Sequence, residues 1–177
     1  MKFLNLKGLQ TFLLCAIFSL NCEGCCAKRK PEECKMFVPV DSVLKSELSD
    51  SISSIVLNPK TVTVQRLKVD KGVITVTQSR KLSKVEKGIA CFQMATIEEG
   101  DTATIVYGRF APNVRYVFQC GKKLIFADAD FGLGKIYFRT ENGEFVKRFN
   151  ISGRNLLKFS CTIFKDDKFL TYMLKRK

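Results

Sequence analysis

The chain from residue 61 to residue 149 alternates apolar and polar positions with a period of two, which is typical of strands that bury one face. In the clearest case, Val114, Tyr116, Phe118 and Cys120 all fall on one face. Turn residues separate the alternating segments, so the sequence predicts a mainly β domain of short strands. The predicted strands begin near Thr61, Val73, Ala103, Val114 and Leu124, and a predicted hairpin spans residues 135 to 149 around Glu141-Asn142-Gly143.

Two segments change to helical spacing. Apolar residues from Leu44 to Ile55 recur every three or four positions and predict a helix that stops at Asn58-Pro59. A second short helix is predicted in the tail from Lys165 to Lys177. Within the first predicted strand, a phase slip at Gln65-Arg66 predicts a β-bulge.

The first 24 residues have the features of a secretory signal peptide. Lys2 and Lys7 come before the apolar run from Phe12 to Leu20, which is too short to cross a membrane. We therefore expect residues 1–24 to be removed and residues 25–177 to form a single domain. The protein is then predicted to be secreted and extracellular, without a membrane span.

The cysteine count supports the same compartment. Cys15 and Cys22 would leave with the signal peptide, so six of the eight cysteines would remain. An even number of cysteines in a secreted chain predicts a disulfide framework, and six cysteines allow about fifteen different pairings.

Several classes of enzyme are excluded by composition. The chain contains no histidine, which rules out Ser-His-Asp triads and the commonest metal ligand. If the six cysteines pair, no thiol remains as a nucleophile or zinc ligand. The carboxylate pairs Asp128 with Asp130 and Asp166 with Asp167 are interpreted as residues of surface turns. We predict a protein that is not an enzyme and has no cofactor or metal of its own.

The net charge of +13 predicts attraction to polyanions. Outside the cell these are mainly sulfated glycosaminoglycans and anionic cell surfaces rather than nucleic acid. The alternative is that the charge only keeps the protein soluble. The candidate polyanion-binding residues are Arg80, Lys81, Lys84 and Lys87 in one predicted loop, Lys122 and Lys123 in a turn, and Lys175, Arg176 and Lys177 at the C-terminal end.

A glycosylation sequon occurs at Asn150-Ile151-Ser152. It predicts an N-linked glycan on Asn150 if the site lies in an exposed turn, and an unmodified residue if it lies at a strand end.

The order and spacing of Cys34, Cys91 and Cys120 are similar to those of the netrin-like module. Lys71-Gly72 ahead of a strand, Ala90-Cys91-Phe92, and Ala103 to Gly108 before Phe118-Gln119-Cys120 add to the resemblance. Within that module, the chain most resembles the N-terminal domain of the tissue inhibitors of metalloproteinases, over about residues 25 to 127. The resemblance implies a disulfide-stapled, OB-like five-stranded barrel, to which the apolar periodicity adds the one or two short helices predicted above.

The resemblance also implies disulfide pairings and a mechanism. It pairs Cys25 with Cys91, Cys26 with Cys120, and Cys34 with Cys161. The α-amine and carbonyl of Cys25 would chelate the catalytic zinc of an extracellular metalloproteinase, and Cys26 and Ala27 would contact the protease. An α-amine has a pKa of about 8, so it can lose its proton to a metal at neutral pH.

Two functions are therefore expected. The first is a secreted inhibitor of zinc metalloproteinases. Because Cys25 and Cys26 are adjacent, whereas the family has one residue between these cysteines, we also keep a second hypothesis. It is a non-inhibitory netrin-like module that binds extracellular matrix or glycosaminoglycans through the basic residues.

Overall fold

Seven antiparallel strands form one open sheet in the computed structural model, which describes residues 42–99 and 109–176. The strands are β1 (Thr61–Asp70), β2 (Val73–Lys81), β3 (Glu98–Glu99), β4 (Val114–Cys120), β5 (Lys123–Asp130), β6 (Lys135–Thr140) and β7 (Phe145–Asn150). Their order across the sheet is β2-β1-β4-β5-β6-β7-β3. The helices are α1 (Val43–Glu47), α2 (Asp50–Leu57), α3 (Lys84–Ala95), α4 (Asn155–Ile163) and α5 (Lys168–Lys175).

The predicted mainly β class is confirmed, whereas the OB-like barrel is not shown and the number of helices differs from the expectation. The closed five-stranded barrel is not seen among the described residues, whose strands form an open sheet. The expected one or two helices are too few, because the described chain has five. The predicted strand from Ala103 lies outside the described residues, as do the predicted signal peptide and residues 25–41.

One face of the sheet is buried beneath the helices. Alternate residues of the central strands point to that face and share a single apolar cluster with residues of all five helices. Tyr116 and Phe118 on β4 are completely buried there, as the alternating pattern predicts, whereas Cys120 at the end of the strand is exposed. The helices contribute Leu44, Ile55, Met94, Leu156 and Leu170.

A β-bulge lies opposite Arg66 of β1, but its extra residue, Thr77, belongs to β2, because Arg66 pairs with Gln78 and Leu67 pairs with Val76. The Arg66 side chain is held there by Asp167, whose Oδ2 lies 2.7 Å from Nε, and by the Asn113 carbonyl at 2.9 Å. Burial alone would raise the pKa of Asp167, but hydrogen bonds from Arg66 and from the Leu170 N–H lower it. The Arg66 side chain therefore ties β1 to the start of α5.

Both helical segments predicted from periodicity are confirmed, the first as two short helices. Leu48 and Ser49 separate α1 from α2, and α2 ends at Leu57, just before the predicted stop at Asn58-Pro59. The predicted tail helix is α5. Helices α3 and α4 were not predicted.

The predicted loop from Arg80 to Lys87 is wrong. Arg80 and Lys81 are the last residues of β2, and Lys84 and Lys87 lie in the first turns of α3. Helix α3 begins with a capping box: the Glu86 N–H donates to the Ser83 hydroxyl at 3.3 Å, and the Ser83 N–H donates to the Glu86 carboxylate at 2.9 Å. These two bonds satisfy backbone N–H groups at the start of α3 and stabilise a helix there. Lys84 and Lys87 are therefore helical residues rather than loop residues.

The interpretation of Asp128 and Asp130 as surface-turn residues is wrong. Both are buried in β5, on the face of the sheet opposite the helices. Asp128 is completely buried in β5 and accepts hydrogen bonds from Arg115 Nε and Nη2 at 2.6 and 3.0 Å. Arg139 Nε lies 3.7 Å from the same carboxylate. Asp130 is also buried, and it accepts backbone N–H bonds from Ala111, Gly132 and Leu133. Both carboxylates therefore hold neighbouring elements together.

We predict that Ser83→Ala lowers the free energy of unfolding by about 1 kcal/mol, because it removes the hydroxyl acceptor of the capping box. Urea unfolding followed by circular dichroism measures this change. The matched control is Ser54→Ala, which removes an exposed hydroxyl from the interior of α2. Alanine is the better helix former there, so the control should unfold at the same or a higher urea concentration. Equal destabilisation by the two variants would contradict the role given to the capping box.

Candidate anion-binding surface

The end of β2 and the start of α3 bring four of the predicted basic residues close together. Arg80 and Lys81 are exposed at the strand end, Lys84 is exposed in the first turn of α3, and Lys87 is half-buried one turn later. Leu82 between the two elements is buried, and its N–H donates to the Val62 carbonyl at 2.9 Å. The connection is therefore short and fixed rather than a loop.

Lys87 joins this group to the start of β1. Its Nζ lies 3.1 Å from the Pro59 carbonyl oxygen and 3.5 Å from that of Lys60. The side chain of Lys60 is itself exposed. Lys60 was not among the predicted residues, because it is isolated in the sequence.

The start of β1 also meets the turn between β4 and β5. The Lys60 N–H donates to the Gln119 carbonyl at 2.8 Å, and Thr61 is paired with Gln119. One residue further, Cys120 is paired with Lys123 across the tight turn that contains Lys122. The two basic groups that were predicted separately therefore lie at the same end of the sheet.

We call this surface the basic end. It consists of Lys60, Arg80, Lys81, Lys84, Lys87, Lys122 and Lys123.

Glu86 is an acidic residue within this surface, and it is engaged by its neighbours. The pKa of Glu86 is lowered mainly by hydrogen bonds with the Ser83 backbone and then with the Ser83 side chain. The Arg80 guanidinium lowers it further. The carboxylate is therefore ionised at neutral pH and forms an ion pair with the Arg80 guanidinium. Lysine side chains in the same region remain exposed at Lys60, Lys81, Lys84 and Lys122. The N-terminal end of α3 adds a partial positive charge to the same region.

The third predicted basic group lies at the opposite end of the sheet. Strand β5 runs from the turn at Lys122 to the turn at residues 131–134, and Arg176 lines a groove of about 350 Å³ beside that second turn. Arg154 donates through Nη1 to the Leu174 carbonyl at 3.1 Å, and through Nη2 to that of Arg176. Lys175 and Arg176 therefore do not contribute to the basic end. Lys177 lies outside the described residues.

The residues predicted to contact a protease, Cys25, Cys26 and Ala27, all lie outside the described residues. Cys91, Cys120 and Cys161 are free thiols in this structure, and the partners expected for them are Cys25, Cys26 and Cys34. The three implied pairings therefore stay predictions. Burial raises the pKa of the Cys91 thiol to about 11, although Lys87 nearby lowers it.

Asn150 is the last residue of β7, where it is paired with Glu98 of β3. Its Nδ2 donates to the Glu99 carbonyl at 2.8 Å, and its Oδ1 accepts from Lys135 Nζ. Ser152 of the sequon donates to Glu98 at 2.8 Å. Asn150 therefore lies at a strand end, and its side-chain amide is already hydrogen-bonded. For a sequon at a strand end, the sequence analysis predicts an unmodified asparagine.

Two further properties concern the described part of the chain alone. Within residues 42–99 and 109–176, no group of three or more acidic or cysteine side chains is placed to hold a metal ion. In the same ranges, no helix is long and apolar enough to cross a membrane.

Comparison of the chain with known proteins found no matching family model, no matching curated protein and no matching solved structure. The netrin-like resemblance therefore rests on the order and spacing of the cysteines and their neighbouring residues.

In the reduced protein, we predict that a maleimide modifies Cys120 at neutral pH and modifies Cys91 only after unfolding. Cys120 is exposed at the end of β4, whereas Cys91 is buried in α3 with a raised pKa. Mass spectrometry of peptides from the labelled protein gives the two rates. Modification of both thiols at similar rates in the folded protein would contradict this prediction. The same labelling of the secreted, unreduced protein tests the implied pairings, which predict that neither residue reacts.

Proposed function

We propose that the chain is a secreted, non-enzymatic module that binds sulfated glycosaminoglycans through the basic end. The observation that carries the proposal is that two basic segments distant in the sequence meet at one end of the sheet, with Lys60 between them. A net charge of +13 attracts a polyanion from a distance, and a local cluster of exposed lysines gives it a place to bind.

The arrangement suits an extended polyanion better than a single small anion. The basic end crosses four neighbouring strands, from β2 through β1 and β4 to β5, and adjacent strands lie about 4.8 Å apart. The cations therefore spread over about 14 Å across the sheet. A chain with repeated sulfate or carboxylate groups can contact several of them at once, whereas a single phosphate contacts one or two.

The choice of sulfated glycosaminoglycan over nucleic acid rests on the predicted signal peptide, because the protein would then meet polyanions outside the cell. Assignment to the netrin-like family, with an OB-like barrel, remains part of the proposal and rests on the cysteine spacing. Inhibition of an extracellular zinc metalloproteinase through Cys25 remains a prediction from the resemblance alone.

We predict that the triple variant Lys81→Gln, Lys84→Gln, Lys122→Gln binds heparin much more weakly. If each lysine contributes about 1 kcal/mol against an anionic surface, the loss is about 3 kcal/mol. This corresponds to a dissociation constant on the order of 100-fold higher. Isothermal titration calorimetry with a heparin fragment measures the change, and the binding of the unaltered protein should itself weaken as salt increases.

The matched control is the triple variant Lys165→Gln, Lys168→Gln, Lys175→Gln. It removes the same charge from exposed lysines in and beside α5, away from the basic end. We expect its affinity to change several-fold at most, through the lower net charge. Equal losses in the two triple variants would show that total charge, rather than the basic end, determines binding.

A further inference from the structure

The two edges of the sheet differ in a way that the proposed function does not explain. Among the described strands, one edge is β3, whose two described residues are both exposed glutamates. The other edge is β2, which has nine residues, all of them exposed. Short and charged edge strands prevent pairing with other chains, whereas a long uncharged edge strand is a template for it.

Among the described residues, β2 lacks the usual protection from Val73 to Val76, ahead of the β-bulge at Thr77. The segment Val73–Ser79 contains no charged residue and no proline, and its residues are mostly β-branched. Val73, Ile74 and Val76 are 66%, 39% and 44% exposed. The first basic residues, Arg80 and Lys81, come only at the end of the strand.

The turn at Lys71-Gly72 determines which N–H and C=O groups of β2 bond to β1 and which point away from it. Both residues have positive φ, 47° and 86°, as in the type I′ turn of a two-residue hairpin. The flanking residues Asp70 and Val73 then form a hydrogen-bonded pair.

Hydrogen-bonded and non-hydrogen-bonded pairs alternate along an antiparallel ladder. Val69 with Ile74 and Leu67 with Val76 are therefore non-hydrogen-bonded pairs, and Lys68 with Thr75 is hydrogen-bonded. The N–H and C=O groups of Ile74 and Val76 point away from β1, towards the outside of the sheet.

We propose that β2 pairs antiparallel with β2 of a second copy of this chain, about a two-fold axis at Thr75. In this register Ile74 lies opposite the partner's Val76, and the two residues exchange the backbone hydrogen bonds that point outwards. Because the axis makes the contact symmetric, Val76 does the same with the partner's Ile74. The sheet then continues from one copy into the other.

A second copy fits this edge because the register is self-complementary. Ile74 faces the partner's Val76, Thr75 faces the partner's Thr75, and Val73 faces the partner's Thr77, so apolar and β-branched residues meet and no two like charges are opposed. The paired segment Val73–Thr77 carries no charge, so Arg80 and Lys81 fall beyond it. The repulsion between two strongly basic copies opposes the contact, and dimerisation should therefore strengthen as salt increases.

Sedimentation velocity over a range of protein concentrations tests the proposal. The protein should form a dimer, and Val76→Lys should abolish it, because a lysine then lies opposite the partner's Ile74 and charges the edge. The control is Val85→Lys, which adds the same charge to a more exposed valine on α3 and should leave the dimer intact. Circular dichroism confirms that both variants fold.

A cross-linking variant tests the register independently of any loss of folding. Thr75→Cys places two thiols opposite each other across the axis, at a Cβ separation of about 5 Å, and should give a covalent dimer on oxidation. Ser79→Cys serves as the control and should not cross-link beyond the level that the existing cysteines give.

A protein that is monomeric at every concentration and salt, or a dimer that survives Val76→Lys, would overturn the proposal. Capture of an extended segment of a different protein by β2, without a dimer, would overturn it as well.

Discussion

Burial of one face of the central strands beneath the helices is the constraint on which the rest of the structure depends. Tyr116 and Phe118 are completely buried on that face, so shifting β4 by one residue would exchange them with polar neighbours such as Arg115. The register is therefore fixed on both sides of β4. Thr61 must meet Gln119, and Cys120 must meet Lys123. The positions of the basic residues at the strand ends follow from this register.

Local rules were sufficient where a single element determines its own pattern. The strand at Val114, the hairpin around Asn142-Gly143 and the tail helix each follow from periodicity and turn chemistry in a short window. Helix α3 could not be found in this way, because its first turn is basic and Gly88 interrupts its pattern. The signal that could have located it is the Ser83-x-x-Glu86 capping box, which marks a helix start before any apolar stripe appears.

The candidate site could not be predicted from any short stretch of sequence, because it depends on the order of the strands in the sheet. The sequence identified the basic residues near Lys84 and near Lys122, but their meeting depends on β1 lying between β2 and β4. Lys60 was missed for the same reason, since its importance comes only from Lys87 and Gln119, which contact it from distant elements. Asp128 was misjudged because two arginines on neighbouring strands make its burial possible, and their positions depend on the register of the sheet.

The most direct test of the proposed function is a nuclear magnetic resonance titration of the ¹⁵N-labelled protein with a sulfated oligosaccharide. Chemical shifts of the backbone amides then report where the ligand binds, without any mutation. We predict the largest changes at Lys60, from Lys81 to Lys87, and from Gly121 to Lys123, with little change near Lys175. Changes concentrated on α5 and the groove beside residues 131–134, or no changes at the basic end, would contradict the proposal.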